Sequence, residues 1–154
     1  RSSGAMARRR VVWKFTEAAI GAGVTRTLGQ YVLAAGQNHY ILEWEVYAKG
    51  ITASDPKSNV RLVRQGGAGT SSAVTGVMED SDDAGTIQGS GRDQFSGAEP
   101  SVTNDLYPTA LHVQGNYVWR GGGQRVVGAE RIGLLILNNA SGSITYGGHM
   151  IVEE

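Results

Sequence analysis

Apolar positions along this chain come in short runs broken by glycine, and nowhere do they keep a 3.6-residue period for three turns, so no long helix is predicted. Residues 10–16, rich in β-branched and aromatic side chains, read as a first strand, and 25–33 as a second. Residues 39–49 alternate most clearly. Tyr40, Leu42, Trp44, Val46 and Ala48 fall on one face, and Ile41, Glu43, Glu45 and Tyr47 on the other. Residues 59–64 form a fourth strand, and 71–78 lean to strand over a short helix.

From 79 to 105 the pattern lapses. This stretch holds seven of the chain's fourteen acids and a single basic residue, Arg92. So long a patternless segment in a compact domain reads as a functional or mobile loop, with room for a short edge strand near Gln94 and Phe95. Pattern returns at Leu106. Strands are expected over 109–113, 117–120, 124–127, 131–137 and 143–153. Short strands at this spacing, without helices between them, require antiparallel pairing. The expected fold is therefore all-β: one antiparallel β-sandwich of about eight strands, jelly-roll-like, spanning residues 10–154. Residues 1–9 read as a tag remnant and a flexible N-terminal arm.

Composition adds exclusions. The chain has 154 residues, enough for one domain with its own core. It contains no cysteine, which removes disulfides and thiolate sites, and its 23 glycines point to many tight turns. Formal charge is zero, so nucleic acid is not an expected partner. No apolar stretch approaches the length of a membrane helix.

Candidate chemistry is sparse. His39, His112 and His149 lie in or beside strands, but none has the His-x-His or His-x-Asp/Glu neighbour that strand-borne metal sites usually use. The acidic run containing Asp80, Asp82 and Asp83 lacks calcium-loop spacing. Gly121-Gly122-Gly123 and Gly66-Gly67 resemble phosphate loops only in richness, since no Lys-Ser/Thr follows. No Gly-x-Ser-x-Gly elbow is present. The expectation is a non-enzymatic protein with no metal and no cofactor, working through its surface. Candidate contact residues are Arg8, Arg9 and Arg10 of the arm, Asp80, Asp82 and Asp83 of the acidic loop, Glu43, Glu45 and Tyr47 of one strand face, and the pair Tyr117 and Trp119.

Segment order supports a resemblance. Phe15-Thr16-Glu17-Ala18-Ala19-Ile20 leads to Tyr31-Val32-Leu33-Ala34-Ala35-Gly36, then the 39–49 strand, then Val60-Arg61-Leu62-Val63-Arg64. The closing blocks are Gly115-Asn116-Tyr117-Val118-Trp119, Glu130-Arg131-Ile132-Gly133-Leu134 and Gly148-His149-Met150-Ile151-Val152-Glu153-Glu154. From Phe15 to the end the chain resembles small β-rich structural proteins of tailed bacteriophages, in order and spacing rather than in a diagnostic motif. The resemblance implies a jelly-roll virion component, of the capsid decoration (cement) or fibre type. It would assemble with its own copies as a homo-oligomer, trimers being common, and with a capsid or tail lattice. The alternatives are a carbohydrate-binding or lectin-like jelly roll, with sugar as ligand, and a cupin-like metalloenzyme.

Overall fold

The computed structural model describes residues 9–50 and 57–154. Eleven strands make up the regular structure, and the described residues contain no helix. They are β1 (Arg10–Ile20), β2 (Thr25–Val32), β3 (Asn38–Lys49), β4 (Ser58–Gln65), β5 (Ser72–Val74), β6 (Val77–Met78), β7 (Ser90–Asp93), β8 (Val102–Leu111), β9 (Asn116–Val127), β10 (Arg131–Leu137) and β11 (Ile144–Glu153). One sheet runs β6-β1-β11-β3-β9 and the other β5-β7-β2-β10-β4-β8. Every pairing is antiparallel.

With the three short strands set aside, β1-β11-β3-β9 faces β2-β10-β4-β8, and the chain changes sheet at every step except β4 to β8, which pair side by side. That is the eight-stranded jelly-roll order built from two Greek keys. The predicted class and strand number hold. The alternation that gives each strand one apolar face supplies the interior: Trp13, Phe15, Leu28, Tyr31, Trp44, Leu62, Ile132 and Tyr146 are all at most 2% exposed.

The β4–β8 connection departs from the sequence reading. It contributes β5 and β7 outside β2, and β6 outside β1. Residues 71–78 thus form two short strands on different sheets. The edge strand expected at Gln94 and Phe95 lies a little earlier, at Ser90–Asp93, and Gln94 adopts a left-handed φ of 53° where it ends. Strand β8 begins at Val102, ahead of Leu106. Two acids of this connection are turned inward to fasten it. Buried Asp93 accepts the Thr16 N–H at 2.7 Å, and Glu99 accepts the Thr27 N–H and hydroxyl at 2.7 and 2.8 Å.

Two more corrections concern register. The period-2 reading of β3 fails at Leu42. The pairing shifts at this point with both neighbours: against β11, between Ile151 and Val152, Leu42 is an extra residue, whereas against β9 the extra residues lie on β9. His39 and Ile41 are consequently buried with Trp44, Val46 and Ala48, while Tyr40 and Leu42 face outward with Glu43. Strand β9 is continuous, where two strands were expected. Across the step from Ile41 to Glu43 on β3, it advances from Gln124 to Arg120, so the Gly121-Gly122-Gly123 run is a bulge within a strand.

Candidate functional site

Strand pairing lays the outward residues of β1, β11, β3 and β9 in cross-strand rows. One row is Val12, Ile151, Glu43 and Arg120, and the next is Lys14, His149, Glu45 and Val118. The following row brings Tyr47 beside Gly147 and Asn116. This outer face carries a connected polar network. Arg120 Nε donates to Glu43 Oε1 at 2.7 Å, His149 Nε2 lies 2.7 Å from Glu43 Oε2, and His149 Nδ1 lies 3.4 Å from Glu45 Oε1. Asn116 Nδ2 donates to Glu45 Oε2 at 2.9 Å. At the far end the Tyr47 hydroxyl and Lys49 Nζ both meet Glu17 Oε2, at 2.5 and 2.7 Å. Lys14, Tyr47, Glu45, His149 and Ile151 border a shallow hollow of about 350 Å³.

The electrostatics follow from these contacts. Hydrogen bonds from His149 and Arg120 hold the Glu43 carboxyl below its ordinary value. Lys49 and then Tyr47 do the same for Glu17. The Glu17 carboxylate in turn pushes the Tyr47 phenol up to about 12. Glu43, Glu45 and Tyr47, predicted as one surface, are therefore brought together. The signals that sequence reasoning missed are His149, Arg120, Asn116 and Glu17.

Arg9, Arg10 and the acidic loop were predicted as two separate contact elements. Within the chain they meet each other. Arg9 Nε lies 3.3 Å from Asp83 Oδ2, its Nη1 donates to the Thr86 carbonyl at 2.8 Å, and Arg10 lies 3.9 Å from Glu79. The Gly85 N–H, and then Arg9, keep the Asp83 carboxyl below its usual value. Asp80 and Asp82 are exposed, and Asp80 accepts the Asp82 N–H at 2.9 Å. Arg8 lies outside the described residues.

Tyr117 and Trp119 occupy the side of the sandwich between β8 and β9. Trp119 stacks on buried Trp44 at 6.5 Å and 15°, and Tyr107 of β8 lies 5.1 Å from its other side. Tyr117 packs on Trp44 at 5.3 Å. Trp119 is thus a half-buried member of an aromatic seam, and the exposed ring of the seam is Tyr107.

The histidines do not converge. His39 is buried, with Nδ1 at 2.5 Å from the Tyr31 hydroxyl; His112 caps the Gln114 N–H; His149 belongs to the outer face. Among the described residues no group of three or more histidines and carboxylates is placed to hold a metal.

His39 and the depressed carboxyls, Glu43 among them with Glu17 and Asp83, set the expected acid response. Burial holds His39 below its ordinary value of 6.5, so the unfolded chain takes up a proton first and stability falls as pH drops through 6.5. Glu43, depressed from 4.5, contributes stability that is present above 4.5 and is lost as pH falls through its folded value. Urea unfolding followed from pH 7 to pH 3 should therefore show two successive losses, and Glu43→Gln should remove part of the lower one only. An unchanged lower limb in that variant would show the Glu43 contacts to be energetically idle.

The chain matches no protein-family model, no curated protein and no solved structure at a significant level.

Proposed function

We propose that this jelly roll is a structural component of a tailed-bacteriophage virion, of the decoration or fibre type, which acts by docking to its own copies and to a protein lattice. One observation carries the reading. The β1/β2 side of the sandwich is covered by β5, β6 and β7, whereas the opposite side ends on two long strands, β8 and β9, that have no further partner among the described residues. Unpaired edges attract other strands, and folds usually protect them. Three of the four exposed large apolar residues, Val102, Tyr107 and Val127, also lie on these two strands. The biological setting rests on the resemblance in segment order alone.

Light scattering over a wide concentration range tests the assembly. A defined oligomer is expected, because a specific interface needs roughly 800 Å² per partner, within reach of one side of a domain this size. A mass of 16.3 kDa at every concentration would overturn the self-assembly part of the proposal.

A further inference from the structure

The two sheets have four edges, and three carry recognised protection. Strand β6 has two residues and β5 three, too short to template a ladder. Strand β8 has ten, but Pro108 lacks an N–H, Asp105 adds charge, and the pairing with β4 slips between Leu62 and Val63, which bulges the strand at Leu106. The fourth edge is β9. From Asn116 to Arg120 it contains no proline, its one charge, Arg120, is paired with Glu43, and it pairs with β3 without a slip. The glycine bulge after Arg120 bounds this regular stretch on one side, and the Gly115–His112 turn bounds it on the other.

Resting on the assembly reading above, we propose that residues 116–120 of β9 pair antiparallel with the same residues of a second copy, about a two-fold axis through Val118. The sequence of this stretch is self-complementary in that register. Val118 meets itself, Tyr117 faces the partner's Trp119, and Asn116 faces the partner's Arg120. The aromatic pair lies on the inner side, where it extends the Trp44–Trp119–Tyr107 seam across the axis. The charged pair lies on the outer side. The Arg120 side chain is 75% exposed although bonded to Glu43, and Asn116 already holds Glu45. The partner's Arg120 therefore arrives in the row of Asn116 and Tyr47, one row from Glu45, the carboxylate that Asn116 contacts. Sliding the axis to Arg120 would set two arginines face to face and run the ladder into the bulge. Sliding it to Asn116 would run it into the turn. Charge and geometry both select Val118. The contact is isologous and joins the two five-stranded sheets into one.

The absence of cysteine makes the test direct. Val118→Cys introduces a single thiol that faces its counterpart across the axis, whereas Asn104→Cys places one on the protected β8 edge. Mild oxidation should convert Val118→Cys to a covalent dimer several-fold more completely than Asn104→Cys. Val118→Lys sets two ammonium groups opposite each other and should reduce the solution mass. It should still fold, because Val118 is the register partner of Glu45, which offers the lysine a carboxylate within its own chain. The wild-type mass should be an even multiple of 16.3 kDa. A trimer, equal cross-linking at both positions, or a Val118→Lys protein of unchanged mass would each overturn the β9 contact while leaving assembly by another surface standing. A wild-type monomer at all concentrations would remove both.

Discussion

Replacing Trp44 with alanine should cost about 3–5 kcal/mol of stability, the range for large aromatic truncations in cores. Trp44 is fully buried on β3, pairs in register with Trp119, and touches the rings of Trp119 and Tyr117. Its removal empties the centre of the seam that fills the β8/β9 side of the sandwich, and rings held between two strand edges have little backbone with which to close the gap. For a domain of this size the midpoint should drop by roughly 6–20 °C. Position in the seam sets the gradient. Tyr107 is 38% exposed at its outer end, so Tyr107→Ala should cost far less. Trp44→Phe should fall between the two, since it keeps a ring while removing an indole N–H that has no hydrogen-bond partner among the described residues. Urea unfolding of the three variants decides the matter. Equal losses at Trp44 and Tyr107 would show that the seam is not packed from the core outward.

The fold was legible where one physical rule acted alone. Strand β10, apolar almost throughout, is buried along its length between β2 and β4, and β11 alternates with its apolar side inward. Legibility failed where a second effect intervened. A bulge at Leu42 leaves no mark in a hydrophobic alternation, so the inward face of β3 was misassigned before that point. The three glycines of β9 read as a break because glycine signals turns more often than bulges; here Gly121 also leaves room for the indole of Trp119. Strand β7 has no apolar signature at all. It is a polar edge segment, and what fixes it is Gly91 under the Trp13 ring and Asp93 on the Thr16 N–H.

The outer-face site shows the same division. Glu43, Glu45 and Tyr47 share a face because β3 regains a period of two after its bulge, which sequence can register. Their partners cannot be found that way. His149 lies 106 positions from Glu43 and Arg120 lies 77, and only the jelly-roll crossings bring β11 and β9 to either side of β3. The arm and the acidic loop were separated for the same reason. Each looked like a free charged segment until β6 paired with β1 and carried Glu79 to Arg10. Complementary charge within one chain looks, in sequence, like two surfaces awaiting partners.

Gly29→Ala should be nearly as damaging as a core truncation, although it adds one methyl group. Gly29 lies on β2, buried, with the ring of Phe15 from the facing sheet resting on its backbone. A Cβ at this position would fall inside that ring, and Phe15 is itself only 2% exposed, so it has no open space to move into. Either the ring leaves its rotamer or the sheets part locally. Overpacking of this kind typically costs about 1–3 kcal/mol, and a rigid ring against backbone belongs near the top of that range. The cause can be separated from any general intolerance of alanine for glycine. Gly67 has open space where its Cβ would stand and no left-handed backbone, so Gly67→Ala should stay within about 0.5 kcal/mol of wild type. Phe15→Leu, costly alone, should cost less in the Gly29→Ala background, because the smaller side chain clears the new methyl. A double-mutant cycle by urea denaturation measures that coupling. Additive losses would mean that Phe15 does not bear on Gly29, and that the spacing of the two sheets is set elsewhere.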